Sequence, residues 1–329
     1  MTAQETVDAL VCSAHGEPAG LSVGSLALRA LKDTEVEIEV EAAGISYVDV
    51  LMVRNLHQNK HATPFAAGME AVGRVRSVGS GVAHVKPGDR VAALLYDGGH
   101  ARRAVAAGSE TFLLPEACDP VRTAAWLSVA LTAEIALTDR AALTAGETVL
   151  VGGAAGGVGL CAVQLAHWHG ARVIAAASDE ARCDLARQAG ADAALVYGDG
   201  FRERCQGLNG GRDVNVIIDP VGGAFAEAAA NLLDWDGRYV VIGFAGGGIP
   251  SFAANRLLVK NRAVLGMVLG FYRWQRPAVL AAAAERVFRA LADGALNAPV
   301  TVVQGLAGVP AVMEEIAGRR FLGKAVVVP

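Results

Sequence analysis

The stretch Val149-Leu-Val-Gly-Gly-Ala-Ala-Gly-Gly-Val-Gly159 decides the fold. Three apolar residues end in a run of small ones, and an apolar-periodic segment follows at once. That order predicts a strand, a tight turn and a helix. The spacing Ala154-x-Gly156-x-x-Gly159 meets the dinucleotide-binding pattern, with alanine at the first position. Each small residue has a physical reason. Gly156 lets the backbone come close to a pyrophosphate, and Gly159 lets the helix pack against the strand. The helix N-terminus, from Gly157 and Val158 onward, aims free N–H groups and a positive dipole at the phosphates. Val158, Cys161, Ala162 and Leu165 recur at the spacing of a buried crossover helix.

Working outward, strand-like and helix-like segments alternate. Arg172–Ala176 reads as a strand, Glu180–Gln188 as a helix, and Ala194–Tyr197 and Asn215–Asp219 as further strands. Gly222–Leu233 reads as a helix and Arg238–Gly243 as a strand. This rhythm implies an α/β architecture with a doubly wound parallel sheet, a Rossmann domain. Residues before about Leu131 have another style. Val36–Ala42, Ala71–Val78 and Arg90–Leu95 are short β-rich runs separated by turns such as Pro87-Gly88-Asp89, as in an antiparallel β domain. The tail carries a long Ala-rich helix, about Pro277–Ala292, then strand-like Val300–Gln304 and Ala325–Val328. The expected division is 1–128 for the β-rich domain, 129–268 for the Rossmann domain, and 269–329 for a return to the first.

Bulk properties narrow the function. The chain of 329 residues is 53% hydrophobic and 19% charged, with a formal net charge of −4, which suits two folded domains and not a disordered segment. No basic run points to nucleic acid or an anionic membrane. The start, MTAQETVDALVCSAHGEP, lacks a basic n-region and an apolar core, so a cytoplasmic location is expected. The uncharged run Thr148–Ala171 holds six glycines, Gln164, His167 and His169, and reads as strand, turn and helix instead of a membrane span. Five cysteines, Cys12, Cys118, Cys161, Cys183 and Cys205, include no C-x-x-C pair, which argues against a disulfide framework or a structural zinc.

The choice of dinucleotide follows from the second strand. An NAD site places an acidic residue at its end, on the ribose 2′-hydroxyl. Here the strand ends Ile174-Ala-Ala-Ala-Ser178, with Asp179 and Arg182 after it. Ser178 and Arg182 suit a 2′-phosphate, so NADPH is the expected cofactor; the alternative is that Asp179 caps a helix and Arg182 is solvated.

Taken together, "GISYVDVLMVR" (44–54), "PFAAGMEAVGRV" (64–75), "VKPGDRVAAL" (85–94), the glycine turn, "IIDPVGG" (217–223), "GRYVVIGFA" (237–245) and "GKAVV" (323–327) resemble the zinc-free NADPH:quinone oxidoreductase (zeta-crystallin-like) branch of the medium-chain dehydrogenase/reductase superfamily. The resemblance implies a GroES-like catalytic domain, a Rossmann domain, a cofactor in the cleft between them, and a homodimer built through the Rossmann sheet edge. It implies Tyr197 near the adenosine, Arg182 and Arg319 facing the 2′-phosphate, Thr132 on the nicotinamide carboxamide, and Gly243 and Phe244 along the nicotinamide ribose and ring.

The chain departs from that branch around the substrate: Ser46 replaces an asparagine, and His57 and His100 replace aromatics. Zinc-dependent members carry Cys and His where this chain has Ser46 and Met69, both poor zinc ligands, so no metal is expected. Without a Lewis acid the favoured acceptors spread their own charge, as quinones and α,β-unsaturated carbonyls do. Tyr47, Ser46, a ribose hydroxyl or water remain as proton sources. Trp126, Phe271 and Tyr272 offer an aromatic slot for a flat substrate, with core packing as the alternative. Two rival readings are an enoyl-thioester reductase and a non-catalytic NADPH-binding sensor or scaffold.

Overall fold

A computed structural model describes residues 5–329. The chain divides into two units, Met1–Ser128 with Pro299–Pro329, and Val129–Ala298. The first boundary falls inside the helix Pro120–Ile135. The return comes at Pro299, where 269 was expected. The helix Pro277–Ala292 is held to the second unit by contacts remote in sequence. Arg286 Nε donates to the fully buried Glu134 at 2.5 Å, and Trp168 Nε1 donates to Asp293 at the helix end at 3.2 Å.

In the first unit, Glu35–Ile45 is the central strand. It pairs antiparallel with Glu70–Val78, with Arg103–Ala107 and with the tail strand Lys324–Val328. That tail strand pairs in parallel with Val300–Gln304, so the tail does rejoin the first domain. Alternation along Glu35–Ile45 puts Val36, Ile38 and Val40 in the core, where they meet Val75, Val91 and Val327.

The second unit is a six-stranded parallel sheet. Its order is Ala193–Val196, Arg172–Ala177, Thr148–Val151, Val214–Asp219, Leu233–Val241, Ala263–Gly266. The central strands read as continuous apolar runs because both faces are covered: Val149, Leu150, Val151, Ile174, Ile217 and Ile218 are fully buried. Strand order reverses direction between Thr148–Val151 and Val214–Asp219, which is the switch point where doubly wound sheets bind ligands. Among the described residues no helix is long and apolar enough to cross a membrane.

Candidate functional site

Because the sheet is parallel, all strand C-termini lie on one edge. The glycine turn follows Val151, Ser178 follows Ala177, Tyr197 follows Val196, and Gly243 comes two residues after Val241. The candidate cofactor residues of this unit are therefore gathered at one edge by topology. The helix that opens at the turn runs Gly157–Trp168, with the exposed Gly156 as its N-cap.

The turn separates the jobs of its glycines. A Cβ on Gly159 would stand 2.2 Å from Gly153 O, so glycine here is demanded by the protein's own packing. A Cβ on Gly156 would meet only Gly153 O, at 3.2 Å, and its φ of −79° and ψ of 167° suit any residue. Its packing alone makes no strong demand for glycine, in keeping with a small residue kept for an approaching ligand. Gly153 has φ +56°, the left-handed region that closes the turn. Ala154 N donates to Ala176 O at 3.1 Å, tying the turn to the next strand.

Tyr197 was expected beside the adenosine. Its hydroxyl accepts from Gly153 N at 2.6 Å and donates to Ala176 O at 3.1 Å. Burial pushes this phenol up to about 12. Tyr197 thus props the glycine turn from below, while its ring packs against Phe201 and Phe225.

At the end of the second strand, Asp179 organises its neighbours. It caps the helix Glu180–Gln188 by accepting from Arg182 N at 3.0 Å. Its other oxygen takes the Arg182 guanidinium and, at 2.9 Å, the Ser178 hydroxyl. The Arg182 N–H that caps the helix, with desolvation opposing and the Ser178 and Arg182 side chains assisting, holds the Asp179 carboxyl below its ordinary range. Ser178 and Arg182 are brought together as expected, but around a carboxylate.

Sequence reasoning assigned no role to Asp219, at the end of Val214–Asp219. It is fully buried and accepts from Val221 N at 2.7 Å, Gly222 N at 2.8 Å and Tyr239 Oη at 2.6 Å. Burial pushes its carboxyl up. It fixes the turn on which Phe244 rests, since a Cβ on Gly222 would lie 3.1 Å from Phe244 Cδ1. Phe244 itself is 43% exposed, Gly243 is half-buried, and Thr132 is half-buried on its helix. The "IIDPVGG" stretch was the available signal for Asp219.

In the first unit, Ser46 precedes the helix Tyr47–Val53. Its amide and hydroxyl both donate to Asp49 Oδ2, at 2.6 and 2.9 Å. Met69 packs against the apolar core. Neither residue is presented as a metal ligand, and among the described residues no three His, Cys, Asp or Glu side chains gather as a metal cluster. Glu70 is buried and accepts from Ser128 N at 2.6 Å; burial, opposed by Lys324, pushes its carboxyl up to about 7.

Tyr47 is 44% exposed and His57 is half-buried, whereas His100 is fully buried with Nε2 2.9 Å from Gly44 O. Arg319 is exposed, at φ +58°, in the first unit. The aromatic slot needs correction. Trp126 is fully buried and serves the core, Tyr272 is buried and donates to Asp139 Oδ2 at 2.6 Å, and only Phe271 is exposed.

Comparison with known proteins agrees with this layout. Residues 32–145 match the alcohol dehydrogenase GroES-like domain family, and residues 157–285 match the zinc-binding dehydrogenase family. Quinone oxidoreductase-like protein 2 of Bos taurus is 36% identical over 319 residues, 96% of this chain and 90% of that protein. A probable oxidoreductase from Mycobacterium abscessus superposes with a TM-score of 0.89 at 30% identity, covering 99% of this chain and 100% of that one. Escherichia coli quinone oxidoreductase complexed with NADPH superposes with a TM-score of 0.85 at 26% identity, covering 99% and 100%.

Proposed function

This chain belongs to the quinone oxidoreductase-like branch of the medium-chain dehydrogenase/reductase family, and from that premise we propose that it is an NADPH-dependent reductase of quinones or α,β-unsaturated carbonyls that works without zinc. The observation that carries the reading is the sheet edge at the switch point, where Gly156 is exposed and free of the packing demand that fixes Gly159. The amides of Gly157, Val158 and Gly159, which helix geometry leaves without intrahelical acceptors, hold the pyrophosphate. Ala154 keeps the turn small. Arg182 and Ser178 take the 2′-phosphate in exchange for Asp179. Gly243, Phe244 and Thr132 hold the nicotinamide end. When bound, the reduced nicotinamide supplies a hydride.

The chain's own groups then decide which acceptor reacts. The Ser46 hydroxyl donates its hydrogen bond to Asp49, and Met69 packs against the core. That donor set offers no Lewis acid to polarise an isolated carbonyl. Acceptors that delocalise the incoming charge are favoured. Tyr47 presents an exposed hydroxyl that donates the proton or positions the acceptor.

The test is a substrate panel with NADPH. Quinones and conjugated enones are reduced, while saturated ketones and simple alcohols react poorly. Efficient oxidation of a secondary alcohol by NADP⁺ overturns the reading. Tyr47→Phe lowers kcat with KM nearly unchanged if the hydroxyl acts in the transition state.

A homodimer is part of the proposal. Ala263–Gly266 is an edge strand, flanked by Leu258 at 81% and Val259 at 70% exposure. Such an edge beside exposed apolar side chains suits a second copy of the same strand. Light scattering tests this. A cytoplasmic setting suits five buried cysteines, none of which is joined in a disulfide.

A further inference from the structure

A small pocket lies in the same unit as the glycine turn, on other strands than Thr148–Val151. It sits against Leu233–Val241 and Ala263–Gly266 and is bordered by residues 251–257. Its volume is about 150 Å³, the size of a cavity that holds a single benzene-sized molecule and far too small for a dinucleotide. Tyr239, Phe252, Leu257 and Val264 give it apolar walls, with the Tyr239 and Phe252 rings edge to face at 5.0 Å.

Two guanidiniums line this apolar space, and Glu227 is the only carboxylate among its lining residues. Arg256 stands on the exposed rim and donates to Asn231 Oδ1 at 2.9 Å. Arg262 lies deeper, with its side chain 6% exposed. Arg262 is poorly satisfied. Its NH2 donates to Leu233 O, its NH1 reaches Ala230 O only at 3.4 Å, and its Nε is buried with no partner. The carboxylate paired with it, Asp213, is 3.9 Å away and already accepts from Lys260 at 3.0 Å and Gln206 at 2.8 Å. A buried cation with so distant a counter-ion carries a free-energy cost that an anion placed beside the guanidinium relieves. Burial already pulls the Arg262 guanidinium below its ordinary range.

We propose that this pocket binds a small monocarboxylate with a compact apolar body of about benzoate size. The carboxylate meets Arg262, and the body lies among Phe252, Leu257 and Val264. The apolar walls argue against a bare inorganic anion, and the guanidinium argues against a neutral hydrocarbon. None of the residues of the glycine turn, 152–159, lines this pocket.

The test is a benzoate titration of the full chain saturated with NADPH, followed by NMR, with benzamide as neutral isostere and inorganic phosphate as an anion without an apolar body. Saturable benzoate binding is expected, with benzamide at least about tenfold weaker, as loss of a charge-assisted pair implies. Ala253→Trp, on the exposed rim, fills the mouth and abolishes binding. Arg262→Lys keeps the charge but loses the planar fork, and weakens benzoate by about tenfold or more. Should Arg262→Lys fail to fold, Ala253→Trp still decides. Equal affinity for benzamide, binding of phosphate in place of benzoate, benzoate binding untouched by Ala253→Trp, or no saturable binding would each overturn the proposal.

Discussion

Gly156 and Gly159 make a paired test in which one substitution harms folding and the other harms binding. In Gly159→Ala the new methyl lies 2.2 Å from Gly153 O and 2.7 Å from Gly153 C, backbone atoms that cannot swing aside. Overpacking of this kind costs about 1–3 kcal/mol, which lowers Tm by roughly 2–4 °C per kcal/mol for a unit of this size. In Gly156→Ala the methyl meets Gly153 O at 3.2 Å on an extended backbone that alanine adopts freely. The small contact penalty is offset by about 0.4–1 kcal/mol from the stiffer unfolded chain, so Tm stays within a degree or two. NADPH affinity behaves in the opposite order. The Gly156 methyl occupies the space of the pyrophosphate, and binding falls by at least about tenfold, or 1.4 kcal/mol. Differential scanning calorimetry reads the first effect and nicotinamide fluorescence titration the second. A Gly156→Ala protein that keeps its NADPH affinity would refute the assignment of this turn to the pyrophosphate.

Three further outcomes follow from the same geometry. Arg182→Ala weakens NADPH by about 1.5–3 kcal/mol and NADH far less, whereas Asp179→Asn keeps a good helix cap, releases Arg182 and raises the NADPH:NADH preference; equal effects on both cofactors in titration count against a 2′-phosphate site. Activity survives chelators and elemental analysis finds no stoichiometric zinc, because Ser46 and Met69 occupy the ligand positions; one zinc per chain lost together with activity refutes this. Glu70, whose folded carboxyl stands at about 7 against an ordinary 4.5, binds its proton more tightly folded than unfolded, so stability falls as pH rises from about 4.5 to 7 and then levels, by up to roughly 3 kcal/mol. Glu70→Gln removes that fall, so denaturant titrations find the variant faring better relative to the parent at pH 8 than at pH 5.

The parallel sheet was legible because strands buried on both faces must be apolar throughout, as Val149–Val151 and Ile217–Ile218 are. Asp179 was legible as a cap because capping is local: the acceptor lies three residues before Arg182 N. What escaped is non-local. The apolar stripe of Pro277–Ala292 shows which face is buried but not against what, and the Arg286–Glu134 bond that ties the helix to the second unit joins residues 152 apart in sequence. The Tyr197 hydroxyl, 44 residues from its Gly153 donor, had no sequence signal for its partner. Trp126 fits either a slot or a core by composition, and only its zero exposure decides for the core. The Glu70 carboxyl depends on Ser128 and Lys324, which sequence spacing does not bring near.

The departures around the substrate narrow once each side chain's hydrogen bonds are traced. Ser46 is held to Asp49, and His100 is turned inward against Gly44 O. Neither is the outward-facing group its position suggests. Tyr47 and His57 remain. His57 Nδ1 accepts from Asn59 N at 3.2 Å, which requires that nitrogen to be unprotonated and puts the ring proton on Nε2. Burial holds the imidazole below its ordinary range, so it is neutral at pH 7. A neutral Nε2–H is a hydrogen-bond donor without being a strong acid, and Tyr47 offers an exposed hydroxyl on the same unit. Such a pair suits an acceptor that becomes a delocalised quinolate or enolate, which needs little stabilisation and a late proton. It does not suit a localised alkoxide, which needs a metal or a cation. Under the proposed function, the residues at positions 46, 57 and 100 bear on which conjugated acceptor fits and leave the class of chemistry unchanged.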